Sequence, residues 1–187
     1  MLTTTQSTML AADIAADPVL NALPHNSDGA FEIARVYNLP ANPLFYVWRS
    51  DASVDDIFDA ITWASLTPVD VPNVADSAQV VAAQTTRALI CQAKQINLQI
   101  LLQGRQTLNT TKLKVRQALT DSLQNVPAGV SGANLDAGWA QVKATLYRPA
   151  TRLEKLLVTG GTGTTGVPAT MGYEGTISYQ EVEQARG

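Results

Sequence analysis

From Asp76 to Gln103 the chain runs about 28 residues without a proline or a glycine, and it is framed for a helix at both ends. Asp76 and Ser77 supply N-cap side chains, and Gly104 supplies a stop. At 1.5 Å per residue such a helix is roughly 40 Å long. A second helical pattern covers about Asn109 to Gln124. There Val115, Ala118, Leu119, Ser122, Leu123 and Val126 make one stripe, and Lys112, Lys114, Arg116 and Asp121 stay outside it. Two antiparallel helices are the economical arrangement. The expected fold class is therefore mainly α, a helical body built round the long helix at about 76–103, with minor β and an extended C-terminal arm.

Ahead of the long helix the pattern predicts a helix over Thr5 to Ala16, ended by Asp17-Pro18, and another from Ser27 or Asp28 to Asn38-Leu39-Pro40. Phe31, Ala34, Val36 and Tyr37 mark the expected inner face of the second. Together these make an N-terminal helical hairpin over residues 1–40. Leu44-Phe-Tyr-Val-Trp48 reads equally as a strand or an extended core segment. Ser53-Val-Asp-Asp56 is a capping sequence, so a helix is expected from Val54 to about Ala64, with Ile57, Ala60, Ile61 and Ala64 inward. Thr67-Pro-Val-Asp-Val-Pro72 must be extended. Asn125-Val-Pro-Ala-Gly-Val-Ser-Gly132 is a loop, and further helices are expected at about Leu135 to Tyr147 and Ala150 to Val158, split near Arg148-Pro149.

From Thr159 the composition turns to Gly and Thr, with Gly160, Gly163 and Gly166 in a stretch that has no core pattern. The expected division is thus a body at 1–158 and an arm at 159–187. The arm offers Met171, Tyr173, Ile177 and Tyr179 as contact residues, a strand-like Thr176-Ile-Ser, and a capping box Ser178-Tyr-Gln-Glu181 that opens a last short helix to Arg186.

Charge is unevenly distributed. Residues 1–76 hold ten carboxylates against Arg35 and Arg49, whereas residues 77–160 hold ten Lys and Arg against Asp121, Asp136 and Glu154. The two stretches either compensate within one fold or steer a neighbour head to tail. Charged residues are only 16% of the chain, so much of the surface is neutral and polar, which suits packing against copies of itself.

The residues favour no catalytic, cofactor or metal chemistry. His25 sits in a Pro-His-Asn-Ser loop and reads as a loop or cap residue. Asp55, Asp56 and Asp59 fall at a helix start, where the dipole alone favours acids. The single Cys91 and the single His25 make no zinc cluster, and Cys91 reads as a small buried apolar residue. The Gly160–Gly166 stretch lacks the Gly-Lys-Ser/Thr of a phosphate loop. Arg87, Lys94, Arg105, Lys112, Lys114 and Arg116 form a possible DNA-facing set, without aromatic interleaving and in a chain of pI near 5.0; a plain solvated or ion-paired helix face is the competing reading. No apolar run is long enough to span a bilayer, and the N-terminus lacks the pattern of a secretory signal, so no membrane contact and a cytoplasmic origin are expected.

Several segments resemble a family of small proteins encoded in the structural gene clusters of tailed phages and prophages. They are Val47-Trp48-Arg49, Ile61-Thr-Trp63-Ala-Ser-Leu-Thr-Pro68, Cys91 through Gly104-Arg105, Asn125-Val-Pro-Ala-Gly129, Arg152-Leu-Glu154-Lys155-Leu, Ala169-Thr-Met171, Glu174-Gly175 and Ser178-Tyr179. The resemblance spans nearly the whole chain and carries no catalytic motif. It implies a virion component, non-enzymatic, assembled in the host cytoplasm. Within that class, size, helical body and arm suggest a head-to-tail connector or adaptor. Such a protein forms a homo-oligomeric ring of about six or twelve copies below the portal. Its partners would be the portal, other neck or tail proteins, and packaged DNA touched without sequence preference. Tail terminator, tail-tube, fibre-attachment and capsid-decoration roles compete with this placement. A small enzyme or host-directed regulator is a more distant alternative, to be told apart by a stable monomer with a concave pocket.

Overall fold

A computed structural model describes residues 1–68, 73, 75–127 and 133–187. In chain order the elements are α1 (Thr4–Ala16), α2 (Pro18–Asn21), α3 (Ser27–Tyr37), β1 (Tyr46–Trp48), β2 (Ala52–Ser53), α4 (Val54–Ala60) and α5 (Trp63–Leu66). There follow α6 (Ala78–Leu102), β3 (Thr107–Leu108), α7 (Leu113–Leu123), α8 (Trp139–Thr145), β4 (Tyr147–Pro149), α9 (Arg152–Leu156), β5 (Val158–Gly160), β6 (Thr170–Met171) and α10 (Tyr179–Arg186). With 54% helix and 11% strand among the described residues, the fold is mainly α with minor β. Among the described residues no helix is long and apolar enough to cross a membrane. The segments expected as extended at 69–72 and as loop at 128–132 lie outside the described residues.

The chain forms two compact units, one from residues 1–48 with 147–187 and one from residues 49–146. The boundary expected at 158/159 falls within the first of these units. The first unit holds a buried cluster in which Leu10 and Ile14 of α1 meet Ala30, Ile33, Ala34 and Tyr37 of α3, Leu153 and Leu157 near α9, and Ile177 and Val182 of the C-terminal segment. Local chemistry starts each helix. Thr3 and Gln6 form a capping box at α1, Asp17 accepts from the Val19 and Leu20 amides at α2, and Asn26 accepts from Gly29 at α3. The inner face of α3 is Ala30, Ile33, Ala34 and Tyr37, a clean i, i+3, i+4, i+7 row. Phe31, expected inward, is 59% exposed.

The stretch expected as an arm belongs to this core. β5 pairs antiparallel with β6, Ala169 is buried with Val47 and Ala150, and α10 packs on α3 and α1. The Gly/Thr composition hid the pattern because the buried positions Ala169, Ile177 and Val182 are too widely spaced to make a periodic run. Thr176-Ile-Ser is not a strand; Ile177 is held instead by Asn38, whose side chain donates to the Ile177 carbonyl and accepts from its amide, both at 2.9 Å. The capping box at Ser178 and Glu181 opens α10. Arg148-Pro149, expected only as a break between helices, lies in β4, which pairs with β1 in the register Tyr46 to Pro149 and Trp48 to Tyr147.

In the second unit, the helix expected from Val54 to Ala64 is split into α4 and α5. The Thr62 amide donates to the Ala137 carbonyl at 3.1 Å rather than to its own helix. Gly138, at φ +86°, lets this backbone come so close that a Cβ there would lie 2.6 Å from the Ala60 carbonyl oxygen. Ile57 and Ile61 are buried as expected and Ala64 is exposed. α6 starts from a Ser77 cap and packs on α7 and α5. It buries Cys91, Leu98 and Leu102.

Candidate assembly interface

On α6 the residues opposite the buried ones face outward and are apolar. Leu89 is 61% exposed, Ile96 46% and Ile100 68%. Between Ala78 and Leu102 the only charged residues are Arg87 and Lys94, and both reach into their own unit. Arg87 Nε donates to the Pro127 carbonyl at 2.8 Å, and Lys94 Nζ donates to the carbonyls of Asp121 and Gln124. Those carbonyls end α7, where the last turn has acceptors without helical donors and a negative dipole end, so an ammonium is well placed there. The outward side of a 25-residue helix is thereby left without charge. Scattered surface apolar side chains are ordinary; here Leu89, Ile96 and Ile100 line up along one exposed, uncharged side of the helix.

Two shallow grooves border α6, one on its inner side and one beside the row. One, of about 540 Å³, is lined by Val54, Phe58, Trp63 and the Leu98 and Leu102 side of α6. The Phe58 and Trp63 rings stand 4.6 Å apart by centroid at its edge, and Phe58 is 51% exposed. The other, about 370 Å³, lies between α6 and α7 at Ile100, Leu101, Arg105 and Ala118.

The basic residues expected to face DNA do not make one face. Arg87 and Lys94 hold α6 against the end of α7, and Arg116 Nη1 donates to the carbonyls of Thr110 and Thr111 at 2.6 and 2.8 Å. Arg105, Lys112 and Lys114 are exposed. Three of the six are thus structural, because unpaired carbonyls at loops and helix ends recruit long cations. Nothing local in the sequence gives this away, since the carbonyl partners of Arg87 and Lys94 lie 27 to 40 residues off.

The residues expected as arm contacts are mostly internal. The Gly163 carbonyl accepts from the Tyr46 amide at 2.8 Å, and the Phe45 ring lies over its Cα. Met171 pairs with Val158 in the β5–β6 ladder, Tyr173 donates to the Thr176 carbonyl at 2.8 Å, and Ile177 is 3% exposed. Gly160 lies in β5, Gly166 is exposed, and Tyr179 opens α10 at 38% exposure. Gly163 has φ +70°, and a Cβ on it would sit 2.1 Å from Phe45 Cε2, whereas a Cβ on Gly160 meets nothing within 4 Å. Gly163→Ala should therefore cost about 1–3 kcal/mol in a urea melt. Gly160→Ala should stay within about 0.5 kcal/mol of wild type. Equal melts for the two would mean the loop is as unconstrained as its composition suggests.

Two ionic clusters in the first unit escaped the reading of the sequence. Arg148 forks onto Glu154 at 2.7 and 2.8 Å, and Glu154 also accepts from the Thr151 amide at 3.0 Å and the Gly175 amide at 3.3 Å. Burial by itself raises the Glu154 carboxyl, but these donors more than offset it and hold the group below the usual carboxylate range. The second cluster lines a hollow of about 620 Å³ with Leu39, Asn42 and Lys155. There the Tyr37 hydroxyl donates to Asp13 at 2.5 Å, and Arg152 Nη2 reaches Asp13 at 3.2 Å and Asp17 at 2.9 Å while its guanidinium lies 4.7 Å from the Tyr37 ring centroid. Burial, then the Asp13 carboxylate, drives the Tyr37 phenol well above its ordinary value, so it stays a neutral donor. Chemically this cluster joins α1, α3 and α9 rather than offering a reactive group. His25 is exposed in its loop.

In comparisons with known proteins, no family model, no curated protein and no solved structure matches the chain.

Proposed function

We propose that the chain is a structural protein of a tailed-phage virion, working by self-assembly at the head-to-tail connection as a ring below the portal. The observation that carries this reading is the uncharged apolar row of α6, which gives the protein a surface suited to permanent contact. The resemblance of its segments to phage structural proteins supplies the setting. With the C-terminal residues packed in the first unit, contact with neighbours falls to α6 and not to an extended arm. Of the six basic residues expected to face DNA, Arg105, Lys112 and Lys114 are exposed and are the ones placed for non-specific contact with packaged DNA phosphates.

The test is to purify particles from the phage or prophage that encodes the chain, quantify it by mass spectrometry, and locate it by immunogold imaging. Several copies per particle, with label at the neck, are expected. Particles that lack the chain, or label confined to the capsid or distal tail, would overturn the placement.

A further inference from the structure

The outward residues of α6 repeat at alternating four- and three-residue steps: Ala82, Thr86, Leu89, Ala93, Ile96, Ile100 and Gln103, every one of them exposed. That is the spacing of the contact row of a coiled coil, with Thr86, Ala93 and Ile100 in one set of core positions and Ala82, Leu89 and Ile96 in the other. Of the residues that the helix buries in its own unit, Cys91 and Leu98 fall diametrically opposite, at the position farthest from the row, and Leu102 lies beside them. The helix therefore has two apolar sides, and its own unit accounts for only one.

We infer that this row packs against the α6 row of a second copy of the chain. The inference deepens the assembly reading above and rests on it for its setting. Charge selects the occupant. The flanking positions that normally set coiled-coil partner choice are Thr85, Gln92 and Gln99 on one side and Ala83, Ile90 and Asn97 on the other, with no acid or base among them. A charged partner finds nothing to pair with there, while a copy of the chain brings no repulsion. Ile90, 38% exposed, widens the apolar surface on one flank. Alanines at 82 and 93 allow the two helices to approach closely.

Area sets how much more must be covered. From Ala82 to Ile100 the row is roughly 27 Å long and about 10 Å wide, on the order of 300 Å². A stable complex covers roughly 800 Å² per partner. The second copy must therefore also close over the groove that borders the row between α6 and α7, at Ile100, Leu101 and Ala118. The contact joins copies in pairs, from which a larger closed assembly can be built.

Sedimentation of the full chain over a range of concentrations, with circular dichroism to check folding, tests this. Wild type should self-associate. Ile96→Glu with Ile100→Glu should raise the dissociation constant about thirty-fold or more, as for loss of central contact residues. Phe31→Glu, at an equally exposed apolar residue of the other unit, should leave association as it was. Should the double variant lose its helical signal, Thr86→Glu on the same row carries the test, with the same expected loss of association. A wild type that is monomeric at every concentration, or row variants that associate as wild type does, would overturn the pairing. A monomer still found at the neck of particles would sink this inference and leave the proposed function standing. Association through α6 in a chain absent from particles would do the reverse.

Discussion

Deleting residues 173–187 should unfold the unit made by residues 1–48 and 147–187, and should not release an otherwise intact body. The deletion takes Ile177, 3% exposed, and Val182, fully buried, from the cluster that holds Leu10, Ile14, Ile33 and Tyr37. Emptying the site of a large buried aliphatic residue costs about 2–5 kcal/mol, so two such losses approach the roughly 5–15 kcal/mol that stabilises a whole domain. The same cut removes both backbone partners of Asn38 and the Gly175 amide that donates to Glu154. Hydrogen exchange is the discriminating measurement. Amides of α1 and α3 should lose protection, while those of α7, in the other unit, should keep theirs. Unchanged protection in α1 and α3 would restore the view that these residues form a dispensable arm.

The second large effect is expected at Arg148. Arg148→Met leaves Glu154, 1% exposed, without its bidentate partner, and breaking a buried pair from one side costs about 3–5 kcal/mol. Replacing both members, Arg148→Met with Glu154→Leu, should recover much of that loss, because the desolvation cost of the carboxylate goes with it. The pH dependence should reverse sign between wild type and the single variant. In wild type the folded Glu154 value is depressed, so its contribution is present above the ordinary carboxylate value and is lost as pH falls through the lower, folded one. Asp17, lowered chiefly by its bond from Arg152, and Glu181, where the Ser178 and N-terminal donors outweigh desolvation, act in the same direction. In Arg148→Met, desolvation of Glu154 loses its main counterweight and the folded value rises. The defect should then shrink in acid and grow as pH rises. Urea melts across the acid range would show it, and parallel curves for the two proteins would mean that Glu154 is solvated and the pair is incidental.

What could be read from the sequence was what local physics decides. Ser53, Ser77 and Ser178 serve as caps, as their placement implied, because a side-chain oxygen two or three residues ahead of free amides acts without tertiary help. The stripe of α7 was legible for the same reason. Partners far apart along the chain were not: Tyr37 with Asp13, Arg152 with Asp17, and Lys94 with the end of α7. Each is made of residue types that are ordinary on a surface, and only the fold brings them together. α3 turned Phe31 outward because the choice of face depends on what covers it, here α10, from a segment whose glycines and threonines suggested no core at all. The spacing of the outward row of α6 is present in the sequence, yet apolar residues on a long helix read first as core, and only the burial of Cys91 and Leu98 on the opposite side shows which of them face outward.

The chain leaves the first unit at Trp48 and rejoins it at Tyr147, and these two residues sit opposite one another on adjacent strands. During synthesis α1 and α3 therefore emerge with their inner faces uncovered and wait through 98 residues of another unit, Arg49 to Leu146, before α9 and α10 arrive to cover them. The intervening unit has all of its own segments in one continuous stretch, whereas its host is completed last. A nascent chain stalled near residue 146 would thus be half finished in a particular way, with a folded insert and an unfolded frame, and most in need of a chaperone at its oldest end.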